Sequence, residues 1–383
     1  MPELNDHSKR AHALLSASSA HRWLACPPSA LIAEMYPQQD TDFTREGTLA
    51  HEVAEHVASN RGQGVEGYSA LFQLKGATAE MIDCAVDYAD YIQERIKRPD
   101  AFVLLEQRVD FSPWVPDGFG TCDCIILQGD SMDVIDYKYG QGVPVDAKDN
   151  PQLRLYALGA LNDYGVAFDV KKIRMHIFQP RLNNVTQDSM TAKQLLKWAD
   201  KTVKPIADKA VAGAGELKAG EHCKFCPHAG NCQKLTSTCL DFAEAHGLGV
   251  DDYTMDPQEV SDVLAMASII DLWLKRVKDR ALSTLLDGGN IPGYKVVEGR
   301  GSRAWTDDIG VVDVLKAEGY SMEDITETSL LSVAKMEKAI GKKQVAELLD
   351  PLIERKPGAP TVAVETDKRP VYDRLAEAQN DFI

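Results

Sequence analysis

"CDCIILQGDSMDVIDYK", Cys122 to Lys138, is the stretch on which the fold turns. Its apolar residues suit a sheet interior, and Gly129-Asp130 in the middle suits a two-residue turn, so the segment reads as a β-hairpin. With that turn, residues facing each other across the hairpin have numbers summing to 259. Asp123 and Asp136 satisfy the sum, which makes them cross-strand neighbours with Cβ atoms about 5 Å apart. Period-2 alternation puts Lys138 on the same face as Asp136. Two adjacent carboxylates repel unless a cation or proton lies between them. A divalent metal with oxygen ligands fits that demand, with the lysine beside it. The plain alternative is the solvated face of an edge hairpin.

Outward from the hairpin, helices and strands alternate. Residues 18–35 read as a helix after Ser18, and a second helix opens near Glu46 through "GTLAHEVAEHVA". "AEMIDCAVDYADYIQERIK" is a third helix, and "FVLLEQRV" is the strand before the hairpin. "DNPQLRLYALGALNDYG" is a helix capped by Asn150, with Pro151 in its first turn and Gly165 after its end. "KIRMHIFQP" is a further strand and "TAKQLLKWADKTVKPIADKAV" a further helix. This order predicts an α/β fold, a mixed β-sheet core flanked by helices. The cysteine-rich segment closes that unit, so residues 1–240 form a first domain. From Pro257 a helix of about thirty residues ends at Gly288 and Gly289; the short strand "GYKVVEG" and smaller helices follow. Residues 241–355 read as a mainly helical C-terminal domain and 356–383 as a flexible tail.

The 383 residues are long enough for two domains, and 44% hydrophobic with 26% charged residues is the composition of an ordinary globular chain. A net charge of -16 excludes a passive basic nucleic-acid coat, though not an enzyme with a local basic groove. No apolar run spans a bilayer and the N-terminus lacks a signal-peptide core, so a cytoplasmic protein without membrane contact is expected.

Four elements in order resemble the PD-(D/E)XK nuclease superfamily in its RecB-like branch. They are Gly47-x-x-x-His51, Gly120-x-x-Asp123, Asp136-Tyr137-Lys138 and Gln152-x-x-x-Tyr156, the last on one helix face. The likeness covers roughly residues 16–235. It implies a restriction-endonuclease-like core in which His51, Asp123, Asp136 and the Tyr137 backbone carbonyl hold Mg²⁺ or Mn²⁺. Lys138 would orient or help activate water, and Gln152 and Tyr156 would contact DNA or steady the site. Glu106, on the preceding strand, is a candidate further ligand. "HEVAEH" mimics a zinc-protease motif, but His51 and His56 are five residues apart, roughly 140° around a helix, and cannot share one metal.

"HCKFCPHAGNC" places Cys223, Cys226 and Cys232 at metal-ligand spacing. A tetrahedral Zn²⁺ site would need a fourth ligand, for which His222, His228 and Cys239 are at hand. The RecB-like resemblance, which extends to CRISPR-associated and AddB-type nuclease domains, implies instead a [4Fe-4S] cluster. Cys26, ahead of the nuclease elements, would then be the fourth ligand and the cluster would clasp the domain's ends.

Basic residues Lys193, Lys197, Lys201 and Lys204 recur at helical spacing; the stripe reads as a solvated helix face or, alternatively, as phosphate contacts through Lys197 and Lys201. Arg300 and Arg303 flank Trp305, a pattern suited to single-stranded DNA, although a Trp after a strand also suits a core. No Walker A sequence is present, so a helicase partner would be a separate chain. The expected function is a metal-dependent deoxyribonuclease, an exonuclease by its branch, acting in phage-type DNA replication or recombination beside proteins such as a single-strand-binding protein. The competing class is a non-catalytic nucleic-acid-binding or scaffold protein with a structural zinc or iron–sulfur site.

Overall fold

The computed structural model describes residues 13–36, 42–60, 76–247 and 257–296. The chain divides into compact units Met1–Gly299 and Arg300–Ile383, and all described residues lie in the first. Arg300, Arg303, Trp305, the smaller C-terminal helices and the tail therefore fall outside the described residues, as do residues 297–299 of "GYKVVEG". Residues 293–296 of that segment form no strand.

Five strands form one mixed sheet in the order β1-β2-β3-β4-β5: β1 Phe102–Asp110, β2 Phe119–Gln128, β3 Ser131–Tyr137, β4 Lys172–Gln179 and β5 Asn184–Thr191. Neighbours run antiparallel except β3 and β4, which are parallel. That parallel step is bridged by the helix α5, Pro151–Phe168. The hairpin register holds to the sum of 259, from Gln128↔Ser131 to Cys124↔Ile135.

Helices cover both faces. Against one pack α3 (Asp42–Ser59) and α4 (Ala79–Arg95). The buried Ala50, Val53, Ala54 and Val57 of α3 recur at helical spacing and face Ala85, Tyr88 and Ile92 of α4. Against the other face lie α5 and the helices α1 (Ala20–Ala25), α6 (Ala192–Trp198) and α7 (Lys204–Val211). Beyond them α8 (Gln233–Gly247) and α9 (Pro257–Leu286) enclose a small core of Leu235, Cys239 and Ile269. Among the described residues no helix is long and apolar enough to cross a membrane.

Several boundaries differ from the sequence reading. The N-terminal helix is cut at Cys26-Pro27-Pro28 into α1 and α2 (Ser29–Ala33), because the residue before a proline avoids the helical region. Helix α5 keeps its Asn150 cap, which accepts from the Gln152 and Leu153 N–H groups, but runs through Gly165 to Phe168. It stops at Asp169, which takes the left-handed conformation at φ +44°. The helix read over 191–211 is interrupted by a wider π turn at Ala199–Val203. Strand β5 and helix α8 were not foreseen.

One defect in the sheet sets up everything at the site. β1 and β2 pair in a constant register on both sides of Glu106 and Asp123, yet that pair itself drops out of the ladder. Glu106 has φ +44°, a conformation a non-glycine residue adopts at a cost of about 1–3 kcal/mol. Side-chain alternation reverses there. Val103, Leu105, Cys124 and Ile126 pack toward α3 and α4, whereas Val109 and Cys122, of the same parities, pack toward α5. The strands thus change face together where two carboxylates stand.

Candidate metal centre

His51 lies on α3 beside Ala50, at the margin of that helix's buried stripe. Its Nδ1 is 3.3 Å from Asp123 Oδ1 and 3.7 Å from Glu106 Oε1. These three side chains bring ligand atoms within 4.8 Å of one another, a His/Glu/Asp group able to hold a metal ion. Burial alone would lower the imidazolium pKa, but the two carboxylates outweigh it and push His51 up to about 10. In chemical terms a proton on His51 supplies the positive charge that the two carboxylates require.

The second half of the centre is on β3. The ladder between β2 and β3 ends at Cys124↔Ile135, one step short of Asp123 and Asp136. The Tyr137 N–H instead donates to Asp123 Oδ2 at 2.6 Å, so a side chain replaces a backbone acceptor. The following N–H, of Lys138, donates to Phe178 O at 2.9 Å, which holds the Tyr137 peptide between two fixed bonds. The Tyr137 ring meets His51 edge-on, centroids 5.5 Å apart.

Asp136 is almost sealed from solvent, at 2% exposure. Lys138 Nζ lies 2.9 Å from its Oδ2 and 3.2 Å from its Oδ1, but only the Oδ1 contact has hydrogen-bond direction. Oδ2 is therefore a buried carboxylate oxygen with no donor aimed at it. Burial raises the Asp136 pKa to about 6; Lys138 opposes this and Asp123 adds to it. A buried acceptor of this kind, next to a His/Glu/Asp group, fits the coordination chemistry of a hard divalent cation.

Gln152 and Tyr156, one turn apart on α5, complete the constellation. The Gln152 amide donates from Nε2 to Asp136 Oδ1 at 3.0 Å and to the Tyr156 hydroxyl at 3.2 Å. Its Oε1 accepts from Lys138 Nζ at 3.2 Å. Gly120 accounts for the tyrosine's position: a Cβ there would lie 2.8 Å from Tyr156 Cε1. The glycine of the Gly-x-x-Asp element is thus the space into which the ring packs.

The structure draws His51, Asp123, Asp136, Lys138, Gln152 and Tyr156 together, with Glu106 as a member of the ligand group. In the sequence Glu106 is one acid in a strand, and its turned backbone has no local signature.

The cysteines are gathered elsewhere. Cys26 sits between α1 and α2, Cys223 in the 3-10 turn Glu221–Phe225, Cys226 at its end and Cys232 directly before α8. Burial raises the Cys223 thiol to about 11, and Cys226, Cys232 and Cys26 each add to the rise. Burial also raises Cys226; a backbone hydrogen bond at His228 and the charge of Arg22 pull it back, while Cys232 and Cys26 push it further up. The Leu235 N–H points at Cys232 Sγ, 3.5 Å away. Four thiols therefore feel one another across a 200-residue separation in sequence. Among the described residues, no three of these sulfurs lie within 4.8 Å of one another. His222 Nε2 is engaged with Lys218 O at 2.9 Å and His228 Nδ1 with the Tyr36 hydroxyl at 2.7 Å. Cys239 is packed in the α8–α9 core, while Cys84, Cys122 and Cys124 are buried against the sheet. Lys197 and Lys201 are exposed on α6 and the π turn.

A five-stranded mixed sheet between helices, with a His/Glu/Asp group able to hold a metal at an interrupted strand pair, is the class of protein that fold and site define. A family profile described as "Protein of unknown function (DUF2800)" matches residues 12–370, and the chain belongs to that family. Among solved structures it is similar to one described as "Crystal structure of SSO0001", at 13% identity and a TM-score of 0.27. That match covers 60% of this chain and 91% of the other.

Proposed function

We propose that this chain is a metal-dependent deoxyribonuclease that hydrolyses phosphodiester bonds, acting as an exonuclease in phage-type DNA replication or recombination. The observation that carries the reading is the convergence of Asp123, Asp136, Glu106 and His51 with Lys138 beside them. Mg²⁺ or Mn²⁺ bound there by His51, Glu106, Asp123, Asp136 and the Tyr137 carbonyl would lower the pKa of a bound water and offset charge on the scissile phosphate. Burial disfavours the charged form of Lys138, but Asp136 and Asp123 outweigh it and raise its pKa, so the amine stays an ammonium. It therefore serves as a cation that orients water or meets phosphate charge, rather than as a base. Gln152 fixes it by accepting one of its protons while donating to Asp136. Tyr156, its hydroxyl kept neutral first by burial and then by Asp136 and Asp123, walls the site toward Gly120.

The test is degradation of end-labelled DNA with Mg²⁺ or Mn²⁺, run on linear, circular, single-stranded and double-stranded substrates. Linear DNA should be shortened from an end, and Asp136→Ala and Lys138→Ala should abolish this. Undiminished cleavage by both variants ends the assignment and leaves the scaffold reading.

The four cysteines are proposed to hold a [4Fe-4S] cluster. A single tetrahedral zinc with Zn–S bonds of about 2.3 Å needs its sulfurs all within roughly 3.8 Å, and no three of these lie within 4.8 Å of one another. Protein purified without air should be brown, absorbing near ~400 nm. Colourless protein carrying one zinc per chain would replace the cluster with zinc.

A further inference from the structure

A polar cavity of about 650 Å³ opens between α8, α9 and the turn His228–Asn231. Its lining includes His228, Gln233, Thr236 and Arg280, and among the described residues no carboxylate contributes to it. Hydrogen bonding fixes which way these groups present their protons. The Asn231 amide donates from Nδ2 to the Tyr36 hydroxyl at 2.9 Å. The hydroxyl proton is assigned to His228 Nδ1, 2.7 Å away, the orientation that gives that proton an acceptor. A neutral imidazole that accepts at Nδ1 carries its hydrogen on Nε2, so His228 is set as a donor. Thr236 is set in the same sense: its Oγ1 accepts from Trp273 Nε1 at 3.1 Å, leaving the hydroxyl proton to give. Arg280 brings the positive charge, held near the turn by a long 3.4 Å bond to Gly230 O. Gly230 lets that turn lie on α9, since a Cβ there would stand 2.7 Å from Arg276 O.

We propose that this cavity binds a phosphate group carried on a sugar, with His228, Thr236 and Arg280 as its donors. A cavity lined by a guanidinium and oriented neutral donors, with no acid, selects an anion; its volume exceeds one phosphate and leaves room for the attached sugar. A nucleic-acid backbone and a free nucleotide both supply that group, and only the first source rests on the nuclease reading.

The probes are a fluorescent single-stranded oligothymidylate, AMP and inorganic phosphate, titrated into the full-length protein without added divalent metal. Arg280→Gln should weaken binding of the bound probe about tenfold, and Thr236→Val, which changes no charge, about threefold. If the oligonucleotide is the ligand, Arg280→Gln also lowers the slope of its salt dependence by about one. If a free nucleotide is the ligand, both variants lose AMP and keep the oligonucleotide. Both results support the site and name its source. Wild-type affinity for all three probes in both variants overturns it. So does a loss confined to Arg280→Gln, the generic effect of removing a surface charge. Far-UV circular dichroism checks that each variant is folded. Cleavage is measured in parallel: a wild type that cuts no DNA but loses its ligand with both variants sinks the nuclease reading and leaves this one standing.

Discussion

Asp133 and Asp136 stand three residues apart on β3, are 1% and 2% exposed, and have opposite electrostatic fates. Asp133 is met in full. Arg174 grips it with two bonds of 2.6 Å, His176 Nε2 lies 3.0 Å from Oδ1, and Tyr91 holds the far side of that imidazole at 3.0 Å. Burial pushes its pKa up, but the bonds from Arg174 and His176 more than compensate, and the carboxyl ends below its ordinary range. Asp136 has Lys138 near both oxygens and Gln152 on Oδ1, but no hydrogen bond directed at Oδ2 and another carboxylate nearby, and its pKa rises to about 6. The contrast separates a buried charge that ties α4 to the sheet from one left short of positive charge. Incomplete satisfaction, rather than burial, separates the aspartate proposed as a metal ligand from the structural one.

The largest expected effect lies at Asp136. Asp136→Asn should lower metal-dependent DNA hydrolysis on the order of 10³-fold, since a metal ligand supplies several kcal/mol of transition-state stabilisation. Its melting temperature should stay within a few degrees of wild type. A large thermal loss with retained activity would reverse the roles of the two aspartates.

Asp133→Asn should do the opposite, costing about 3 kcal/mol of stability because Arg174 and His176 lose their charged partner. Asp133 has a depressed folded pKa, so its contribution is complete above pH about 4 and is lost as pH falls through that lower value. Denaturant titrations of wild type and variant should therefore converge as pH falls below about 4. A gap that does not narrow at any acid pH at which both proteins still fold would show that the ionised carboxylate contributes nothing.

The smallest effect concerns Gly120. Gly120→Ala forces the Tyr156 ring to move, at a cost of about 1–2 kcal/mol, and loosens the Gln152–Tyr156 contact. Hydrolysis should fall about tenfold, while the pH dependence of stability set by Asp133 stays unchanged. Full activity would mean that the ring only fills space.

Much of this was legible in the sequence because it rests on local rules. The Gly129-Asp130 turn fixed the hairpin register, and Asn150-Pro151 fixed the start of α5. The grouping of His51, Asp123, Asp136 and Lys138 followed from the order of the nuclease-like motifs, while the paired register stops one step short of Asp123 and Asp136. Strand β5 was missed because "NVTQDSMT" is a polar edge strand with alternating exposure, a pattern that also reads as loop. The turned backbone at Glu106 depends on what two strands do together, so no single segment announces it. The Asp133–Arg174–His176–Tyr91 network joins α4, β3 and β4, and only the tertiary fold brings those residues into contact.

The first helices meet the segment that carries Cys223 to Cys232: Tyr36 bonds His228 and Asn231, and Cys26 lies within electrostatic reach of Cys223. During synthesis these partners are made far apart in time. At about 5–20 residues per second, roughly 10–40 s pass between the making of Cys26 and of Cys223. The whole sheet, through β5, is made inside that interval. The nascent chain can complete its central layer, and seat α1 on it, while Tyr36 still lacks His228 and Asn231. The bonds from Tyr36 to His228 and Asn231 can therefore form only after every strand of the sheet has been made.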